Sequence, residues 1–206
     1  MWQDLHTVAG MSATTEDPIS EFQAWLDDAG RAAGGRDPTA MSLATSDARG
    51  MPNVRIVLLK HADAAGFVFY TNLESPKATE LQANPFAALC FHWPETKRQV
   101  RVQGKVEAVA ASEADAYFAT RPRLSQIGAW ASRQSRLMKH ALELERACAG
   151  VALRHGLGEV PRPLFWSGFR VVPERIEFWS EQPFRRHERK LYTRHAGEWS
   201  RELLFP

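Results

Sequence analysis

The chain has 206 residues, 44% of them hydrophobic and 24% charged, a globular composition rather than a disordered one. Lys and Arg total 26 against 24 Asp and Glu, a net charge of +2, so no global field directs the chain to nucleic acid or to an anionic membrane; any anion site has to be local. No apolar run approaches the ~20 residues that span a bilayer, and the N-terminus lacks a basic region followed by an apolar stretch, so the expectation is a cytoplasmic enzyme or binding protein. Cys90 and Cys148 cannot build a disulfide framework and have no zinc-site spacing, so they read as reduced thiols with no metal implied. Seven Trp residues are spread along the chain, suited to core filling or to a flat ligand.

Residues 1–17 lack periodicity and are expected to form a mobile arm ahead of a single domain, 18–206. From Pro18, Ile19, Phe22, Trp25, Leu26 and Ala29 recur at helical spacing, with Asp17 as cap and Gly34-Gly35 as the stop. Ala40–Ser46 and Asn53–Lys60 flank the turn-like Asp47-Ala48-Arg49-Gly50 and predict a hairpin. Gly66–Thr71 is a third strand. Ser75-Pro76-Lys77 opens a short helix that Asn84-Pro85 closes, and Phe86–Trp93 is a fourth strand. In Gln99–Val106 the even positions are Val100, Val102, Gly104 and Val106 and the odd ones polar, a strand with one packed and one wet face. A helix is expected over Ser112–Arg121 with Asp115 completing a capping box, then a loop over Arg123–Arg133, then a helix over Ser135–Ala149. Leu164–Val172, Arg175–Ser180, His187–Arg194 and Trp199–Leu204 are further strands. The sum is seven or eight short strands with three helices inserted among them. Helices and strands do not alternate, so a small closed or nearly closed antiparallel barrel is favoured over a parallel sheet.

The chemistry lies in cations on strand faces, since neither GxGxxG, a P-loop, HExxH nor GxSxG occurs. In an extended strand Arg185, His187 and Arg189 share one face, which is either a solvated edge or a face for an anionic or electron-rich ligand. Arg55 and Lys60 bracket a strongly apolar strand. Five residues apart, they point to opposite faces unless a bulge intervenes, and so serve two anions or simply mark two wet ends. Tyr117 and Arg121 are i and i+4, with Ser125 just beyond, a donor set suited to phosphate. Ser75 and Lys77 bring a hydroxyl, free N–H groups and a cation to a helix N-terminus, with Tyr70 and Thr71 just before it. Dispersed phosphate-compatible sites among many aromatics suggest a flat phosphorylated ligand, or two.

Together RIVLLK (55–60), FYTN (69–72), RQV (98–100), RPRLSQIGAWASRQS (121–135), FWSGFRV (165–171), IEFW (176–179) and RRHER (185–189) resemble the pyridoxine (pyridoxamine) 5′-phosphate oxidases, in order from about residue 40 to the C-terminus. The resemblance implies a mainly β fold with added helices (α+β), a Greek-key-like FMN-binding split β-barrel. It also implies a homodimer with FMN in clefts between subunits, oxidising pyridoxamine or pyridoxine 5′-phosphate with O2. By motif, the FMN set would be Arg55, Ile56, Val57, Leu58, Leu59, Lys60, Tyr70, Thr71, Ser75, Lys77, Gln99, Gln134, Ser135, Trp179 and Arg189. Lys60, Tyr117, Arg121 and Ser125 would cradle the substrate phosphate, giving Arg55 and Lys60 one phosphate each on opposite faces. Arg185 and His187 would bind the substrate ring and be the catalytic pair. The chain departs from the pattern in four places: Pro76 stands where Arg is usual, Glu188 replaces Asp, Phe184 replaces a small polar residue, and the arm lacks the family's Arg/Tyr pattern. Two rivals are a split-barrel flavin oxidase acting on a phenazine precursor and a non-catalytic flavin- or pyridoxal-phosphate-binding protein.

Overall fold

A computed structural model describes residues 17–206. The expected arm therefore lies outside the described residues except for Asp17. Helix α1 (Pro18–Ala32) starts as the sequence dictates: both carboxylate oxygens of Asp17 accept from backbone N–H groups, of Ile19 and Ser20, at 3.1 Å, and Pro18 occupies the first turn. Its apolar stripe closes the barrel. Phe22 is fully buried, edge-on to Phe67 and Phe91 with ring centroids 4.9 Å from each. Burying such a ring contributes roughly 1.5–3 kcal/mol. Glu21, one residue earlier, ties the helix to the sheet by accepting from Tyr192 Oη at 2.9 Å and from Lys190 Nζ.

The described strands form one curled antiparallel sheet. They are β1 (Ala40–Ser46), β2 (Pro52–Leu58), β3 (His61–Asp63), β4 (Gly66–Asn72), β5 (Phe86–Trp93), β6 (Arg98–Ala108), β7 (Trp166–Ser180), β8 (Glu188–His195) and β9 (Glu198–Leu203). The order is β2-β1-β5-β6-β7-β4-β3, with β8 added to β7 and β9 to β8. The hairpin β1–β2 forms in the expected place, Ala40 opposite Leu58 and Ser46 opposite Pro52. The alternation read over Gln99–Val106 is observed: Val100, Val102 and Val106 are buried in β6 while Arg101, Gln103 and Lys105 are exposed.

The two strands expected over Leu164–Val172 and Arg175–Ser180 are one, β7. Its first half pairs with β4 and its second with β8, while β6 runs along both. The register shifts between Gln103 and Gly104, opposite Pro173, so the proline bends the strand without ending it. A Cβ on Gly104 would sit 1.9 Å from the Val172 carbonyl oxygen, which is why the crossing requires glycine.

The helices depart most from expectation. Helix α2 (Pro76–Ala83) is where its signals put it, but the Ser75 hydroxyl does not cap it. Helix α3 (Ala111–Thr120) has no capping box, because Asp115 turns away to pair with Arg162 Nε at 2.7 Å. Arg123–Arg133, expected as a loop, carries helix α4 (Arg123–Ala131), which begins straight after Pro122 and buries Ile127. The helix expected from Ser135 starts only at Glu143, as α5 (Glu143–His155), because Ser135 takes a left-handed φ of 67° that breaks any helix there. Helices α3, α4 and α5 gather Phe118, Ile127, Val151 and Val160 around Trp166 in a second core beside the barrel. Of the other tryptophans, Trp93 belongs to the barrel core and Trp25 packs against it.

Candidate phosphate cleft and ring-facing row

A cleft of about 560 Å³ opens where β2, β4 and the three-helix core meet. It is lined by Arg55, Ile56, Val57, Leu58, Lys60, Tyr70, Thr71, Lys77, Tyr117, Arg121, Ser125 and Gln134, twelve of the residues proposed from sequence, together with Trp166. Leu59 does not join them; it points into the barrel core at 4% exposure. Ser135 lines an adjoining cavity with Arg49, Pro76, Glu80 and Arg136.

The structure corrects the opposite-face reading of Arg55 and Lys60, since both line this cleft. Parity along the strand does not apply, because β2 ends at Leu58 and Lys60 N already donates to Val68 O of β4 at 2.8 Å. Each cation has a distinct setting. Arg55 donates through Nη2 to Glu80 Oε2 at 3.0 Å and through Nη1 to the Leu43 carbonyl at 3.2 Å and to Thr45 Oγ1. Glu80 also accepts from Thr45 Oγ1 and, at 3.0 Å, from Asn53 Nδ2.

Lys77, at the start of α2, donates from Nζ to Gln134 Oε1 at 2.6 Å and to Thr71 Oγ1 and Ser75 Oγ at 3.2 Å. All three partners are neutral oxygens. Burial, helped by the nearby Arg55 charge, pulls the Lys77 ammonium below the ordinary lysine pKa, against a smaller opposing pull from Glu80. A half-buried ammonium without a direct carboxylate partner is suited to an anion.

Arg121 lies just beyond α3, its guanidinium 4.7 Å from the Trp166 ring centroid and 5.5 Å from that of Phe118. Burial lowers its pKa, and its Nη1 is buried with no hydrogen-bond partner among the described residues. An unmet charged donor costs more than an ordinary lost hydrogen bond, so the site is incomplete without a ligand acceptor. Tyr70 and Tyr117 stack at 4.1 Å, and Tyr70 lies nearly parallel to Trp166 at 5.3 Å. Burial raises the pKa of both phenols, keeping them neutral donors. Gly168 allows this packing: a Cβ there would meet Tyr70 ring atoms at 2.7 and 2.9 Å.

The remaining candidates form a second group. Gln99 on β6, Trp179 on β7 and Arg189 on β8 are direct register partners, so they form one row across the sheet. Arg189 is fixed by Glu177 Oε1 at 2.9 Å and the Phe205 carbonyl at 3.0 Å. The shared strand face expected for Arg185, His187 and Arg189 is not formed. β8 begins at Glu188, and Pro183–Arg185 is a single tight turn in which Phe184 and Arg185 adopt left-handed φ values of 59° and 60°. Arg185 is therefore presented from an exposed turn. His187 packs over Trp179 at 4.8 Å between centroids, and its Nδ1 accepts from Gln182 N at 3.3 Å. None of these five residues lines the cleft within one chain.

Sequence reasoning missed Glu80, Thr45 and Trp166. On its own Glu80 looks like a solvated position on a short helix, and only the pairing of β1 with β2 beside α2 brings its three donors to it.

A half-open antiparallel barrel whose strand ends and one helix start gather four cations in a cleft defines a split barrel with a candidate anion site. Comparison with known proteins agrees. Residues 27–154 match the family described as pyridoxamine 5′-phosphate oxidase, and residues 166–206 match the pyridoxine 5′-phosphate oxidase C-terminal dimerisation region. The chain is 53% identical over 191 residues to a pyridoxine/pyridoxamine 5′-phosphate oxidase of Mesorhizobium japonicum, covering 92% of this chain and 93% of that one. It is 54% identical over 200 residues to the one of Rhodospirillum rubrum, covering 95% and 99%. The crystal structure of PhzG from Burkholderia lata 383, in complex with tetrahydrophenazine-1-carboxylic acid, superposes with a TM-score of 0.87 at 30% identity over 95% of both chains. A pyridoxamine 5′-phosphate oxidase-related, FMN binding protein from Nostoc punctiforme PCC 73102 shares the fold, with a TM-score of 0.74 at 19% identity over 90% of this chain and 97% of that one.

The chain belongs to the pyridoxamine 5′-phosphate oxidase family and is an oxidoreductase of the split-barrel type. Among the described residues no helix is long and apolar enough to cross a membrane.

Proposed function

We propose that the chain oxidises pyridoxamine 5′-phosphate and pyridoxine 5′-phosphate to pyridoxal 5′-phosphate with FMN as cofactor. The amine reaction consumes one O2 and one water and releases ammonia and hydrogen peroxide; the alcohol reaction consumes O2 and releases hydrogen peroxide alone. The observation that carries this reading is the orphaned Nη1 of Arg121 in a cleft that also holds Arg55, Lys60 and Lys77. One cleft with four cations and a single carboxylate paired to one of them has donors for two phosphate groups. Lys77 and Arg55, with Thr71, Ser75 and Gln134 around them, would hold the cofactor phosphate. Lys60, Tyr117, Arg121 and Ser125 would hold that of the substrate.

When bound, FMN supplies the hydride acceptor and returns the electrons to dioxygen. The protein positions the other reactant. One phosphate anchor would fix the substrate from one end and the other the cofactor, and holding reactants in line can supply on the order of 7–11 kcal/mol of the barrier. Arg185, exposed on its turn, would hold the substrate's amine or hydroxyl and favour its proton loss electrostatically, since a guanidinium is a poor base. His187, braced by Trp179, would orient the pyridine ring. Because Arg185, His187, Gln99, Trp179 and Arg189 stand apart from the cleft of their own chain, the complete site forms when a second copy apposes its row to this cleft. The matched C-terminal dimerisation region, which contains four of those five residues, supports a homodimer with FMN between subunits.

The likeness to PhzG favours a second reading, oxidation of a phenazine precursor. The Lys60–Tyr117–Arg121–Ser125 cradle argues against it, because a single carboxylate offers two acceptor oxygens to two cations and two hydroxyls, whereas a phosphate offers three. A purely ligand-binding role is the third. An anaerobic mixture of flavin-loaded protein with pyridoxamine 5′-phosphate tests all three. Flavin bleaching that reverses on admitting air, with one peroxide per pyridoxal phosphate, is the expected result. Bleaching only by a phenazine precursor, or by neither compound, overturns the proposal.

A further inference from the structure

Arg55 is the most constrained cation in the cleft, and the constraint has a source outside the residues discussed as ligand contacts. A guanidinium has five N–H donors. Nη1 spends both of its own on the Leu43 carbonyl and Thr45 Oγ1, and Nη2 spends one on Glu80 Oε2. What remains is Nε–H and the other Nη2 hydrogen, the two adjacent donors that can grip one oxyanion bidentately. Glu80 does not hold Arg55 alone. The same carboxylate accepts from Thr45 Oγ1 and from Asn53 Nδ2, so α2, β1 and β2 are locked to one another through it. Both partners are shielded, with side-chain exposures of 19% for Arg55 and 13% for Glu80.

From this network we infer that Glu80 is a positioning residue: by occupying the back of the Arg55 guanidinium it presents the Nε/Nη2 edge to the cofactor phosphate. The inference rests on the reading of the cleft as an FMN site. The pairing is not explained by charge. A carboxylate beside a phosphate dianion repels it, so Coulomb's law alone favours an uncharged residue at position 80. What the carboxylate contributes is orientation. Arg carries substantial rotamer entropy, and a ligand meeting a pre-held fork does not have to freeze it. Pro76 sharpens the need. With proline at the first position of α2, no cation is offered there, and the phosphate would rest on Lys77 and Arg55.

The test is titration of FMN into apoprotein, followed by quenching of flavin fluorescence, for wild type, Glu80→Ala, Glu80→Gln, Arg55→Ala and the Arg55→Ala/Glu80→Ala double variant. Glu80→Ala is expected to weaken FMN binding about tenfold, the scale of one charge-assisted hydrogen bond. Glu80→Gln keeps an acceptor for Nη2 and sheds the repelling charge, so it is expected to stay within about threefold of wild type. In the Arg55→Ala background, Glu80→Ala has nothing left to position and is expected to change the FMN Kd by less than about twofold. A purely structural Glu80 instead lowers FMN affinity by the same factor whether or not Arg55 is present, and that result overturns the inference, as does an unchanged Kd for Glu80→Ala. If Glu80→Ala does not fold, Thr45→Val removes the other anchor of the guanidinium while keeping both charges. It is expected to weaken FMN about threefold or more, and an unchanged Kd there overturns the inference equally. Wild-type protein that takes up no FMN defeats the functional reading as well; wild-type binding with unmoved variants defeats only this inference.

Discussion

The cleft and the Gln99–Trp179–Arg189 row are built in opposite ways. The cleft is assembled from six elements, and three of its four cations, Arg55, Lys77 and Arg121, are half-buried and hydrogen-bonded or stacked on aromatics, with one Arg121 donor left unmet among the described residues. The row sits on three adjacent strands, its Arg189 end tied down by Glu177 and the Phe205 carbonyl, and Arg185 beside it hangs from an exposed left-handed turn. One region is a cationic cleft closed within one chain, the other an open row that nothing in the same chain faces. Under the proposed function the difference teaches that binding and chemistry would be divided: affinity for phosphate would belong to a single fold, and the arrangement that orients the ring to two copies.

Substitutions can break that division at either end. Arg185→Ala is expected to give the largest effect: turnover of pyridoxamine phosphate falls about 100-fold, the scale of losing one positioning contact, while the flavin stays bound. Steady-state peroxide release and retained flavin absorbance report both halves, and wild-type turnover would remove Arg185 from its role. Lys60→Ala acts on the cleft instead and is expected to raise KM for the phosphorylated substrate about tenfold with little change in FMN affinity. Equal loss of both ligands would merge the two phosphate sites into one.

Gly168→Ala tests whether the aromatic stack organises the cleft. The new Cβ must displace the Tyr70 ring, so thermal unfolding should show a loss of about 1–3 kcal/mol. Substrate KM should rise in that variant and FMN affinity should fall with it, since Tyr70 belongs to the proposed FMN set, while the Gln99–Trp179–Arg189 row is untouched. An unaltered melting profile would mean that Tyr70 moves freely.

The smallest effect is a pH dependence. Lys77 holds a phosphate only while protonated, and burial lowers its pKa from the ordinary 10.5. FMN affinity should therefore be full below that lowered pKa and decline as pH rises through it, starting earlier than for an exposed lysine. Lys77→Arg should flatten the decline, because a guanidinium stays charged. A wild-type profile that stays flat up to the ordinary lysine range would contradict the burial argument.

Much of this was legible beforehand. The alternation in β6, the Asp17-Pro18 helix start and the β1–β2 hairpin follow from local rules, because period, caps and turns act over a few residues. The helices around Gly128 and Ser135 were misplaced for a related reason. The helix that carries Gly128 buries Ile127 in the core around Trp166 and Val151, a long-range contact that the local sequence does not carry, and the left-handed φ of Ser135 has no local signal either. The failed strand face for Arg185 has the same origin, as a turn begun by Pro183 overrides the period of two.

By itself, then, the sequence determined the family and which side chains the proposed site draws on: the motifs around Arg55, Arg121 and Arg185 stand in the family's order along the chain. Only the tertiary structure decided how they are grouped. Arg55 and Lys60 share a cleft because the chain turns after Leu58, and Glu80 braces Arg55 because a helix start and two strands converge on it. Such convergence depends on contacts between residues far apart in sequence, and no local pattern records them.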